Sequence, residues 1–128
     1  MERSTRQRSA IRQVLLDADR PLLATEVMDA AKLTVPSLGL ATVYRTLKAL
    51  VAQEDLQVVE LPGENPRFEF AHSHHHHFSC QHCGRVYDIH ACPGNIALLA
   101  PPEFVVESHE LTLYGTCADC QEHPAAGN

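Results

Sequence analysis

The chain has no tryptophan, and it carries four phenylalanines and three tyrosines among 128 residues. So small a supply of large rings limits how wide an apolar core it can build. No apolar run approaches the roughly 20 residues that a membrane helix needs. The opening MERSTRQRSAIRQ lacks the apolar segment of a secretory signal. Both absences point to a cytoplasmic protein, in which five cysteines argue for metal or redox chemistry rather than a disulfide framework. Missing too are the His-Glu-x-x-His helix of metalloproteases and the His-x-Glu … Pro-Cys-x-x-Cys arrangement of zinc deaminases. The expectation is therefore not an enzyme, and no catalytic residue is assigned.

Basic residues are also scarce, 10 against 16 acids, for a net charge of −6. Their distribution matters more than the total. Residues 1–52 hold eight basic groups and five acids, a balance of +3, whereas residues 53–128 hold two basic groups and eleven acids, a balance of −9. A basic module that meets a polyanion joined to an acidic module with another task fits this asymmetry.

Hydrophobic periodicity divides the chain the same way. Residues 4–17 place Ile11, Val14 and Leu15 at helical spacing, with Ser4 or Thr5 as the expected cap and Arg20-Pro21 as the stop. Residues 24–33 read as a second helix, capped by Thr25 and turning Val27, Ala30 and Ala31 inward. GLATVYRTLKALVAQ, residues 39–53, sets Leu40, Val43, Leu47 and Leu50 on one stripe. Opposite lie Ala41, Arg45, Lys48 and Ala52, flanked by Thr42 and Tyr44, a face whose small residues admit DNA and whose cations reach phosphates or guanines. LQVVELPGENPRFEF, residues 56–70, is a hairpin signal. Three helices and a hairpin give the order of a winged helix-turn-helix. From residue 71 the chain reads as strands (HHHHFSC, GRVYDIH, EFVVESHELTLYG) around a helix-poor stretch. The expected fold is α+β, with a winged-helix domain at 1–70 and a small α/β domain at 71–128.

Cys80-x-x-Cys83 and Cys117-x-x-Cys120 are knuckles of matching spacing that together close a four-thiolate, structural zinc site. Ahead of the first knuckle run four histidines, His74 to His77. In an extended segment alternate side chains take opposite faces, so His75 and His77 point one way while His74 and His76 point the other. One run thus serves two metal sites. Glu69, Asp88, His90 and His109 are nearby partners in sequence, a mixed donor set that suits zinc, ferrous iron or manganese. Cys92, in HACPG, is a loop thiol or a soft ligand to a nearby zinc.

ATVYRTLKAL, the wing ending RFEF, the run HHHHFSCQHCGRV and the closing ELTLYGTCADC together resemble the ferric uptake regulator family over roughly residues 4–121. The resemblance implies a winged-helix domain followed by a dimerisation domain, and a homodimer that binds a palindromic AT-rich operator in double-stranded DNA when loaded with a regulatory divalent metal. It places structural zinc on Cys80, Cys83, Cys117 and Cys120, and the regulatory ion (zinc, ferrous iron or manganese) on Glu69, His75, His77 and Asp88. A further site resembles His74, His76 and His109, with Asn95 standing where the family has an acid. The histidine that the family's DNA-binding domain contributes to its sensor has no counterpart, since Arg20 and Pro21 occupy that stretch. Thr42, Tyr44, Arg45 and Lys48, with Arg6 and Arg8, are the expected DNA contacts. The function implied is a metal-responsive repressor of metal-homeostasis or peroxide-response genes. Its rival is a zinc-buffering or interaction protein without sequence-specific DNA binding.

Overall fold

In the computed structural model the described residues are 2–71 and 75–123. Contacts within the chain divide it into two compact units, Met1–His72 and Ser73–Asn128.

The first unit opens with α1, Glu2–Ala18, which buries Ile11 and Leu15. Ser4 and Thr5 lie inside this helix rather than capping it. It stops at Ala18 because Asp19 takes φ 50°, a left-handed conformation that Asp tolerates better than most residues. A short strand follows that periodicity did not show: β1, Leu22–Leu23. In α2, Ala24–Ala31, the expected cap Thr25 is already helical. Glu26 does the capping instead, its Oε1 accepting the N–H of Leu23 at 2.9 Å while Oε2 holds Arg20 at 3.2 Å. Val27 and Ala31 turn inward as expected, but Ala30 is exposed and Ala24 is buried in its place.

Gly39 precedes α3, Leu40–Ala52, whose Val43, Leu47 and Leu50 are buried. Leu40, expected on the same stripe, is 37% exposed in the opening turn. Strands β2, Leu56–Val59, and β3, Arg67–Phe70, form the antiparallel hairpin, with Gln57 opposite Glu69. β1 completes a sheet of order β1-β3-β2. One core joins Ile11, Leu15, Val27, Val43, Leu47, Leu50, Leu56 and Phe68. Because Leu47 is fully buried in it, Leu47→Ala is expected to cost about 2–5 kcal/mol. Urea unfolding followed by helical circular dichroism measures this, and a cost near zero would contradict the packing described.

The second unit is a sheet of order β5-β4-β6. β4, His76–Cys80, pairs antiparallel with β5, Val86–Ile89, and parallel with β6, Thr112–Gly115. A 3-10 helix, Ile96–Leu99, interrupts the helix-poor stretch, and α4, Ala118–Glu122, closes the described chain. The expected strand over EFVVESHELTLYG is a strand only at Thr112–Gly115. Phe104 and Val105 ahead of it are largely exposed and belong to no strand among the described residues. Among the described residues those buried as whole residues in this unit are His76, Ser79, Cys80, Val86 and Cys117, and the side chains of His75 and Asp88 are buried as well. Val86 is the one aliphatic group in that set, so apolar burial alone cannot hold the unit together.

Candidate metal centres

Cys80 ends β4, and the chain then turns through Gly84, at φ 77°, whose N–H donates to the Cys80 carbonyl at 3.0 Å. That left-handed position favours glycine and lets the first knuckle close. The second knuckle returns through β6. Its register sets Gly115 beside Cys80, which brings Cys117 and Cys120, at the start of α4, to the first pair. Cys80 Sγ lies 3.8 Å from Cys120 Sγ, and Cys83 Sγ lies 3.9 Å from Cys117 Sγ. A tetrahedron of thiolates about 2.3 Å from zinc has edges of about 3.8 Å, so the four sulfurs are spaced for that ion.

The electrostatics agree. The main-chain N–H groups of Cys83 and Cys117 point at Cys80 Sγ, and they lower that thiol to about 5. Cys117 is lowered as well, first by the main-chain N–H of Cys120. Burial and the neighbouring sulfurs push Cys120 up to about 12. Four such groups do not all ionise side by side without a cation among them. Tyr87, which residue spacing did not single out, hydrogen-bonds the Cys117 sulfur; that bond and burial hold its phenol above the usual range.

On β4 the histidines alternate as a strand requires. His77 is registered opposite Asp88 on β5, and His76 opposite Ile89. Asp88 Oδ1 lies 3.1 Å from His75 Nε2 and 3.3 Å from His77 Nε2, and its side chain is 5% exposed. Two imidazole nitrogens around one carboxylate at these separations match the edges, roughly 3.0–3.4 Å, of a site with bonds near 2.1 Å. The ring of His90 is centred 6.0 Å from that of His75, and His90 belongs to none of the ligand groups found among the described residues.

The structure gathers His76, Cys92 and His109 separately, each offering a donor atom within 4.8 Å of the others. Cys92 Sγ is 3.2 Å from His109 Nε2, and the Leu111 N–H donates to His76 Nδ1 at 3.1 Å. His74, expected here, lies outside the described residues. Asn95 is the exposed residue preceding the 3-10 helix. In the first unit, Glu69 is buried on β3, and its Oε1 accepts from Gln57 Nε2 at 2.9 Å.

The expected DNA contacts belong to two helices. On α3, Arg45 and Lys48 are exposed beside Ala41 and Ala52, and Arg45 Nη2 donates to Thr42 Oγ1 at 3.0 Å. Tyr44 packs its ring against the core edge. Arg6 and Arg8 are exposed on α1, and Arg6 Nη2 donates to the Thr34 carbonyl at 3.2 Å. At the expected sensor position of the first unit, Arg20 is engaged by Glu26 and Pro21 is fully buried.

A family model described as the ferric uptake regulator family matches residues 2–114. The chain is 32% identical over 126 residues to the peroxide-responsive repressor PerR of Staphylococcus saprophyticus, covering 94% of this chain and 83% of that one. It is similar in structure to the Helicobacter pylori ferric uptake regulator Fur, at a TM-score of 0.70 and 25% identity over 93% of this chain and 82% of that one. A zinc uptake regulator, FurB of M. tuberculosis, matches at a TM-score of 0.51 and 30% identity, over 92% of this chain and 95% of the other.

Proposed function

We propose, from the premise that this chain belongs to the ferric uptake regulator family and is a metal- or peroxide-responsive repressor, that its effector is a divalent cation held by His75, His77, Asp88 and Glu69. The observation that supports this most is the convergence of two imidazoles on the Asp88 carboxylate. Such a mixed set binds zinc, ferrous iron or manganese. Glu69 comes from the last strand of the first unit, three residues before the boundary at His72. As a ligand it would let effector binding restrict how the reading unit is posed, so that metal raises the competent fraction and with it the apparent affinity for DNA. Glu69 would thereby carry alone the link that Arg20 and Pro21 do not supply.

Regulators of this family are DNA-binding transcription factors rather than enzymes. The α3 face of Thr42, Arg45 and Lys48 would enter the major groove, with Tyr44 at its flank, while Arg6 and Arg8 would meet the backbone. Self-association would use the second unit, where Phe104, Val105, Leu113 and Tyr114 are exposed. A two-fold dimer then calls for a palindromic operator with half-sites about one helical turn apart. The four-cysteine site would hold zinc throughout and supply folding energy rather than the signal.

The test is operator binding followed by fluorescence anisotropy, in chelator and in excess metal. Binding should tighten with metal, and Arg45→Ala should weaken the loaded complex by about 1–3 kcal/mol. Equal affinity under both conditions would reject the switch. Failure to form any sequence-specific complex would favour the zinc-buffering rival.

A further inference from the structure

Residues 1–71 contain no histidine, so an imidazole beyond those of His75 and His77 must reach the proposed effector ion from later in the chain. His90 is placed to supply it. Along β5 the two-residue period puts Val86, Asp88 and His90 on one face, with His90 directly after the last residue of the strand. The antiparallel register sets His77 opposite Asp88 and His76 opposite Ile89. One step further, His75 falls opposite His90. The rings are placed accordingly, with centres 6.0 Å apart and planes inclined by 32°, while those of His75 and His77 lie 4.8 Å apart at 73°. We propose, resting on the assignment of His75, His77 and Asp88 to the effector ion, that His90 is a further ligand of that site. As a third imidazole it completes a four-donor set within the second unit and turns the site away from manganese.

The ring separations suit a shared ion. A nitrogen about 2.1 Å from a metal puts its ring centre roughly 3.2 Å away, so two imidazoles on one ion have centres about 4.5 Å apart at a right angle and about 6.4 Å apart when opposite. Both separations from His75 fall inside that span. The nitrogens of His90 lie outside the cluster of donor atoms that contains His75, His77 and Asp88. His90 is exposed, however, so rotation about its own side-chain torsions brings a nitrogen inward without repacking. The side chains of His75 and Asp88 are 4% and 5% exposed and that of His77 is 16% exposed. His90 is thus the solvent-facing member of the set.

Donor chemistry sets the consequence. Carboxylates suit manganese, whereas imidazole suits zinc and iron, and affinity for a nitrogen-rich site climbs from manganese along the divalent series. Two imidazoles with a carboxylate discriminate little. A third imidazole tips the set toward nitrogen. Because His75, His77, Asp88 and His90 all belong to the second unit, Ser73–Asn128, they can hold the ion before Glu69 joins it.

The test titrates cobalt(II) into full-length protein that retains zinc at its four cysteines. The unpaired electrons of cobalt shift the proton resonances of each coordinated imidazole far from their ordinary positions, so the ligands can be counted. Three shifted imidazoles should disappear together in His77→Ala. His90→Ala should lack one of those three and keep the other two, with unchanged circular dichroism. Loss of an outer-shell partner alone costs a metal site about 10–100-fold, so removal of a ligand in His90→Ala should weaken zinc by at least about tenfold, read by competition with a chelating indicator. Manganese should weaken by less, and His90→Asp should raise manganese affinity relative to zinc. Only two effector-site imidazoles in wild type, or equal losses of zinc and manganese affinity in His90→Ala, would overturn the proposal and leave the effector assignment standing. A wild type that binds no ion beyond its four-cysteine zinc would overturn both.

Discussion

Replacing Cys117 by serine is expected to leave the second unit unfolded while helices α1, α2 and α3 persist. The reason lies in what each unit buries. The first has a contiguous core running from Ile11 to Phe68. Among its described residues the second buries Val86 as its one aliphatic group, beside two cysteines and polar side chains. Structural zinc in small domains supplies about 10–16 kcal/mol of apparent binding free energy, most of which is folding free energy. Cys117 is also the N-cap of α4, and it is tied to the first knuckle twice, its N–H donating to Cys80 Sγ and its sulfur lying 3.9 Å from Cys83 Sγ. Hydrogen exchange should show amides of β4, β5 and β6 exchanging at the rate of an open chain, with α3 still protected. Chelation strong enough to strip the site should reproduce the pattern in the unaltered protein. If Cys117→Ser instead melts at the wild-type temperature with its second unit protected, the zinc staple is not what holds the unit.

His77→Ala should abolish the response to metal without unfolding anything. His77 sits on the central strand, yet its side chain is more exposed than that of His75 or Asp88, so its loss leaves packing nearly intact. What is removed is one of the two imidazoles that approach Asp88 Oδ1. Allosteric coupling between two ligands is commonly worth about 1–3 kcal/mol, or roughly 5–150-fold in affinity. Operator affinity of the variant in excess metal should therefore fall by a factor in that range, to the value of the wild type in chelator. Asp88→Asn, which keeps the shape and removes the charge, should behave alike. A variant lacking the imidazole but retaining full metal-dependent tightening would show that the effector binds elsewhere.

Much of this was legible in the sequence, for identifiable reasons. The α3 stripe follows from a helical period acting along 13 residues, and Val43, Leu47 and Leu50 are buried accordingly. The sorting of His75 and His77 from His76 needs nothing beyond the two-residue period of a strand, a local property that distant contacts do not alter. The knuckles announce themselves because two-residue spacing between cysteines has few other uses. Local signals failed where longer-range geometry decides. β1 exists because Leu22 pairs with Phe68, 46 positions along the chain. Thr25 is a good cap by type, but Glu26 reached the free N–H first, while also engaging Arg20. The approach of Cys92 to His109 depends on how two irregular segments close on β4, and no period describes that. The stretch over residues 104–110 has strand composition but forms no strand among the described residues, since pairing is a property of two segments rather than one.

The parity of β4 has a consequence for how this sequence can change. Because neighbouring histidines serve opposite sides of the sheet, the run is not a reservoir of interchangeable spares. A single residue gained or lost between His75 and Phe78 would exchange the imidazoles' allegiances wholesale, presenting each partner cluster with its neighbour's donors while leaving the composition almost untouched. Point substitutions can therefore drift through the flanking loops with little harm, whereas this strand is closed to insertions and deletions of odd length.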